Sequence, residues 1–399
     1  MRKMYLVSLS VAAAALIVAT GCSSSDDGGD AGLSAPAELT QGVELNTSVV
    51  TNAMALFGGT MDSLPDLAPA RFAAMRIARS SSTENESSTQ SCDINGTRTI
   101  TTVYKETGDK SAKPNENWSE EFTEIETYDN CIDNYSGVNF VGDALDERLT
   151  KGSSTYIEYD SYSSDTNQST SRFSGKVNVS EIKRSSTTKA TITSNTNDNF
   201  SSEATFDGLD DEATNANFKD SFSYYGTSEM YHTNANGDRV AGVGERIDLD
   251  FKETSERIYT VAKSTSLLDF DGFIAVYETN STGEHMVYGY YANNYHVART
   301  KEGDEETTSI SGKIGGSCLG GSVTVTVDPI IKENDVDYIE LPYAGYVTLQ
   351  GSNKATIEFS VADDTLTPQT TQAGVTVDGN PQVQFTTWNA LAAGECDDR

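Results

Sequence analysis

Residues 172–182 read RFSGKVNVSEI, in which Phe173, Val177 and Val179 alternate with Arg172, Lys176, Asn178 and Ser180. A period of two sends successive side chains to opposite faces of a pleated strand. Similar short runs rich in Thr, Tyr, Val, Ile and Phe recur at 97–105, 121–128, 155–162, 188–193, 221–232, 246–252, 257–264, 272–279, 285–291 and 295–300. Turn chemistry separates them, as in Asn234-Ala-Asn-Gly237 and Asn280-Ser-Thr-Gly283. Strands joined by short polar turns fold back on their neighbours, so the chain reads as mainly β: a large antiparallel meander sheet over 81–309. Ser and Thr stand where a sandwich core would place Val or Leu. That predicts one wetted face and a half-barrel or flattened sandwich. A transmembrane barrel does not fit, because the strands lack a lipid-facing apolar row and aromatic girdles.

Working outward, residues 310–399 read as a smaller C-terminal β module, with runs at 323–327, 338–341, 345–350, 355–361, 375–377 and 382–387. Residues 34–80 read as a short helical segment. Leu39, Val43, Val50, Met54 and Phe57 keep one face apolar, with Pro36 near the start and Gly58-Gly59 at the end. A second helix is expected over 67–79, where Arg71, Arg76 and Arg79 form a basic cluster suited to anionic headgroups or to packing on an acidic body. Residues 80–91, SSSTENESSTQS, have no periodicity and read as a linker.

The N-terminus carries an address. Arg2 and Lys3 precede an apolar run from Tyr5 to Val18, followed by Ala19-Thr20-Gly21-Cys22 and the polar stretch SSSDDGGD. A basic start, a short apolar run and small residues before a cleavage point describe a secretory signal. Ala-Thr-Gly-Cys resembles the lipobox of bacterial lipoproteins, although Ala19 stands where that family usually has Leu. The resemblance implies that residues 1–21 are removed and that Cys22 becomes the lipidated first residue, bearing palmitate-type chains. Residues 22–33 would then be a lipidated tether. Ser23 after the cysteine is similar to the outer-membrane sorting pattern, which implies a lipid anchor in the cell outer membrane and leaves the periplasmic or surface side open. The resemblance covers the first 30 residues. The TYDNC stretch around Cys131 is similar to β-rich envelope lipoproteins and implies no activity.

Removing residues 1–21 leaves 26 basic against 60 acidic residues, a formal charge of −34. Such a chain lacks the clustered Lys and Arg that phosphate backbones require, so nucleic acid is excluded as a partner. Setting Cys22 aside leaves Cys92, Cys131, Cys318 and Cys396, an even number in an exported chain. Three pairings exist, and pairing of sequence neighbours, Cys92 with Cys131 and Cys318 with Cys396, is expected. No two cysteines have CxxC spacing, which disfavours thiol exchange, zinc knuckles and c-type haem.

Few residues point to chemistry. Gly315-Gly316-Ser317-Cys318-Leu319 lacks the closing glycine of a nucleophile elbow, and only His232, His285 and His296 could serve as a base. No HExxH occurs. Paired carboxylates could hydrolyse a glycosidic bond, but 60 acids always supply some pair. Calcium is the one cofactor the loops suggest, through Asp207-Gly-Leu-Asp210-Asp211-Glu212, Asn234-x-Asn236-Gly237-Asp238 and above all Asp269-Phe-Asp271-Gly272; ordinary turns account for the same residues. Tyr224, Tyr225, Tyr288, Tyr290 and Tyr291 form the candidate aromatic binding face, with cross-strand pairing as the structural alternative. The expected function is a non-enzymatic, outer-membrane-anchored lipoprotein with a disulfide-stapled β body for ligand binding, adhesion or envelope structure. Its expected partners are the membrane, through the N-terminal lipid, and polysaccharide or envelope proteins. The alternative is a carbohydrate-active enzyme with two acids facing across a groove walled by Trp118 or Trp388. A lipid-carrying half-barrel would need a continuous apolar concave face, against which the Ser/Thr-rich strands argue.

Overall fold

A computed structural model of the chain describes residues 33–63, 84–108, 116–207, 217–259, 263–280, 283–303, 305–327, 331–334, 341–363, 370–392 and 396. Cys22, the expected helix over 67–79 with its three arginines, and Asp210 to Glu212 lie outside the described residues. Among the described residues two helices, α1 (Ala37–Thr40) and α2 (Thr47–Ser63), precede the strands. These are β1 (Glu84–Ser91), β2 (Asn95–Thr107), β3 (Trp118–Val138), β4 (Ala144–Ser163), β5 (Gln168–Arg184), β6 (Thr191–Asp207), β7 (Phe218–Thr233), β8 (Arg239–Tyr259), β9 (Lys263–Asn280), β10 (Gly283–Glu302), β11 (Glu305–Gly316), β12 (Gly321–Val327), β13 (Ile331–Asn334), β14 (Gly345–Gln350), β15 (Lys354–Asp363), β16 (Thr370–Val377) and β17 (Asn380–Phe385). A last helical turn, α3 (Trp388–Leu391), follows.

Each strand from β1 to β11 pairs antiparallel with the next, confirming the meander. β12 and β13 lie end to end along β11, so seventeen strands occupy one fewer, sixteen ranks. The ladder then runs β12, β14, β15, β16, β17. Among the described residues β1 pairs only with β2 and β17 only with β16, so the sheet is not closed. The expected boundary at 310 falls inside β11, and the ladder continues across it.

Alternation assigns every side chain to one of two faces. The core face is aliphatic toward the C-terminal strands, where Ile314, Val323, Val325, Leu349, Ile357 and Val375 are essentially sealed from solvent. Val50, Ala53 and Met54 of α2 pack on them, with Leu391 of α3. Toward β4 to β6 the same face turns to Ser, Thr and acids, among which Ser154, Thr196, Asp198 and Glu181 are buried. The disulfide Cys318–Cys396 joins the β11–β12 turn to the C-terminal segment, and Cys92–Cys131 joins the β1–β2 turn to β3. Closing loops of this length removes denatured-state entropy worth roughly 4 kcal/mol each.

Two expectations are corrected. Residues 84–91, within the expected linker, form β1: both faces of this edge strand are solvated, so no apolar period marks it, and Ser87 and Thr89 meet Thr101 and Thr99 across the ladder. The single helical run from Ser34 is split. Leu39 lies in α1 and Val50 and Met54 in α2, whereas Val43 sits in an extended strap at 41–45 whose Gly42 bridges Ser322. Asn46 restarts the helix, its side-chain oxygen accepting the Val49 N–H at 3.0 Å in the manner of an N-cap.

The strap connects the two faces. Leu39 of α1 packs over Gly289 and Gly315, on the face opposite α2. Residues 41–45 then round the strand ends beside the β11–β12 and β14–β15 turns. Val43 donates to Ser322, Gln41 accepts from Ser322, and Asn353 clasps the backbone of Leu45 from both sides.

Candidate ligand-binding face

The five tyrosines do not share a face. Tyr224, Tyr288 and Tyr290 point to the core face, and Tyr225 and Tyr291 to the polar face that carries α1. The physical reason is the pleat itself: adjacent residues of one strand cannot point the same way.

On the core face the rings satisfy one another. Tyr156, Phe173, Phe200, Tyr224, Phe251, Phe270 and Tyr290 make a row from β4 to β10, with successive centroids 5.3–6.5 Å apart. Gly175 directly faces Phe200 in the ladder and leaves the room its ring occupies. Spaced by the strand pitch and mostly stacked, the rings turn their faces to neighbours rather than to a ligand. Each such pair adds about 0.5–1.5 kcal/mol beyond area burial. Asp198 lies beside this row, accepting the Tyr224 hydroxyl at 2.8 Å, and burial pushes its pKa up to about 6. Farther along, burial and then the charge of Asp220 push Glu253 up to about 7.

The polar face is different. Tyr225 of β7 is level with Asp250 of β8, Asp250 with Phe273 of β9, and Phe273 with Tyr291 of β10. One row diagonally over stands Asp271, opposite Lys252. Burial first, then Asp271, raises the pKa of Asp250, and the same two causes raise Tyr291. Lys313 lies 5.8 Å from the Tyr291 ring centroid while donating to the Thr40 carbonyl at 2.6 Å, which ties this corner to α1. Tyr225 and Tyr291 are half-buried and three ranks apart, roughly 14 Å.

Asp269 and Asp271 share this face without forming a cation cage. Asp269 holds His296 Nδ1 at 2.7 Å, and Asp271 accepts the Asn294 N–H at 3.3 Å. Among the described residues, the only three metal-type side chains that converge are Cys92, Cys131 and Asp133, and the first two are joined in a disulfide. Asn234 to Asp238 is an ordinary turn, in which the Asn234 side-chain oxygen accepts from the N–H groups of Asn236 and Asp238. Ser317 accepts the Gly289 N–H with its hydroxyl, and His232 accepts the Phe140 N–H.

Sequence reasoning missed Asp250, Asp198 and Glu253. None belongs to a motif, and only register reveals what each faces. No protein family, curated protein or solved structure matches the chain.

Proposed function

We propose that the protein is a non-enzymatic lipoprotein, anchored in the outer membrane through Cys22, whose polar sheet face binds polysaccharide. The observation that supports this most is the Tyr225–Asp250–Phe273–Tyr291 row with Asp271 beside it, in which two half-buried tyrosines flank a carboxylate and the buried ring of Phe273. Aromatic rings cover the apolar face of a sugar while carboxylates and amides take its hydroxyls. With 60 acidic residues the body repels polyanions, so the ligand class is a neutral polysaccharide.

The acids favour binding over hydrolysis. A glycosidase needs two carboxyl groups on opposite sides of the bond it breaks. Asp250 and Asp271, like Asp220 and Glu253, rise side by side from one face of adjacent strands rather than from opposite sides of a groove. Trp118 is buried, so it offers no groove wall. Affinity electrophoresis through gels containing neutral polysaccharides tests the reading. The intact chain should be retarded, and Tyr225→Ala or Tyr291→Ala should each weaken retardation roughly tenfold, equivalent to about 1.4 kcal/mol. Release of reducing ends by the intact protein would favour the enzyme instead.

A further inference from the structure

The hairpin tip between β3 and β4 holds three apolar side chains in solvent: Val138, Phe140 and Val141 are 61, 70 and 53 % exposed. Such exposure has a cost in water, yet the loop is built to maintain it. Asn139 between them is buried, donating to the Thr233 carbonyl at 2.8 Å and to Asp143 at 3.1 Å. Its side-chain oxygen accepts the N–H groups of Val141 and Asp143. The Phe140 N–H donates to His232 Nδ1 at 3.1 Å, fixing the tip against β7. Ile94, 48 % exposed in the β1–β2 turn, lies at the same end of the sheet, its N–H bonded to the Ile132 carbonyl of β3.

That end is also where the N-terminal segment joins the body. Strand direction places the 139–143 turn on the side of the sheet that carries the β11–β12 turn, and the 41–45 strap rounds that end. Ten residues, 23 to 32, separate Cys22 from the first described residue, a contour of no more than roughly 40 Å. A lipid on Cys22 would therefore hold the strap end of the sheet close to the bilayer, with the β3–β4 tip at least seven strand ranks, roughly 34 Å, away from it.

We infer that Val138, Phe140 and Val141 form a membrane-insertion tip, a second attachment that enters the interfacial region of a lipid bilayer. The orientation rests on the proposed Cys22 anchor; the insertion itself does not. Apolar contacts with one bilayer add to one another, so a tip in addition to a lipid anchor strengthens attachment and fixes the orientation of the body. Three rigid side chains enter the interface with little further loss of conformational freedom, whereas a mobile loop would have to be ordered first.

The test uses the Cys22→Ser chain from residue 22 onward, which lacks both the apolar signal segment and the lipid, with phosphatidylcholine vesicles, whose neutral headgroups do not repel an acidic body. The protein should co-float with vesicles, and Phe140→Ser should reduce the bound fraction about tenfold or more. Phe140→Trp should add blue-shifted emission quenched by lipids brominated in the acyl chain. If the emission added by Phe140→Trp were water-like and unquenched, the inference would be overturned, as it would by equal flotation of the Phe140→Ser protein. A dimer in vesicle-free solution that Phe140→Ser dissociates would also overturn it, assigning the tip to a second copy of the chain. Fractionation of the unsubstituted chain reads the Cys22 anchor separately, so either idea can fail alone.

Discussion

Asp198 shows how a single side chain responds to the broad core face. Its carboxyl is 3 % exposed, and the Tyr224 hydroxyl is its hydrogen-bond donor. Burial raises its pKa to about 6, whereas an unfolded chain leaves it at the ordinary value of 3.8. A raised acid favours the folded state fully below the unfolded value and loses that contribution as pH climbs through the folded one. Stability attributable to Asp198 should therefore fall between about pH 4 and pH 6, by roughly 2–3 kcal/mol. Urea unfolding of Asp198→Asn should show a gain over the parent at pH 8 and a much smaller gain at pH 4; an equal effect at both would refute the assignment. Glu253 extends the same slope to about pH 7. Sequence alone carried part of this scale. Alternation already separates Tyr224 from Tyr225 and Tyr290 from Tyr291, but reading all five tyrosines as one cluster hid it. Asp198 was illegible because its burial is set by the register of β6 against β5 and β7, which nothing in its own strand announces.

Among the elements, the strap around the strand ends ties the N-terminal segment to the sheet. α1 packs on one face and α2 on the other, and Gly315 permits the crossing because a Cβ there would run into the Leu39 carbonyl oxygen and crowd Gly321. Gly315→Ala should cost about 2 kcal/mol, the range of an overpacked site, and detach α1. Thermal unfolding together with amide exchange at Leu39 would check it, and unchanged protection at Leu39 would contradict it. The meander was readable from its alternation and turns. The strand lengths were not, because polar bulges resembled breaks: Asn130 and Asn294 both adopt φ near 47° inside continuous strands. β1 escaped notice for the complementary reason, since an edge strand wetted on both faces needs no apolar residue. The nearest-neighbour disulfides were legible, being one of three pairings and the one that closes the shortest loops.

At the scale of the molecule, the open sheet divides its labour by face. The core face gathers its aliphatic floor and the rings of Phe251, Phe270 and Tyr290 into one cluster with α2, and the polar face carries half-buried tyrosines and carboxylates. Its acidity and its apolar tip complement the proposed tether, which would hold the body at a lipid surface. That tether rests on the Ala19-Thr20-Gly21-Cys22 sequence, so Cys22 bears most directly on the whole account. Membrane fractionation of cells expressing the unsubstituted protein or Cys22→Ser measures it. The account predicts that the unsubstituted chain sediments with outer membranes and resists high salt, whereas Cys22→Ser shifts most of the protein to the soluble fraction, leaving at most a weak, Phe140-dependent remainder. Undiminished, salt-resistant membrane partitioning of Cys22→Ser would contradict it.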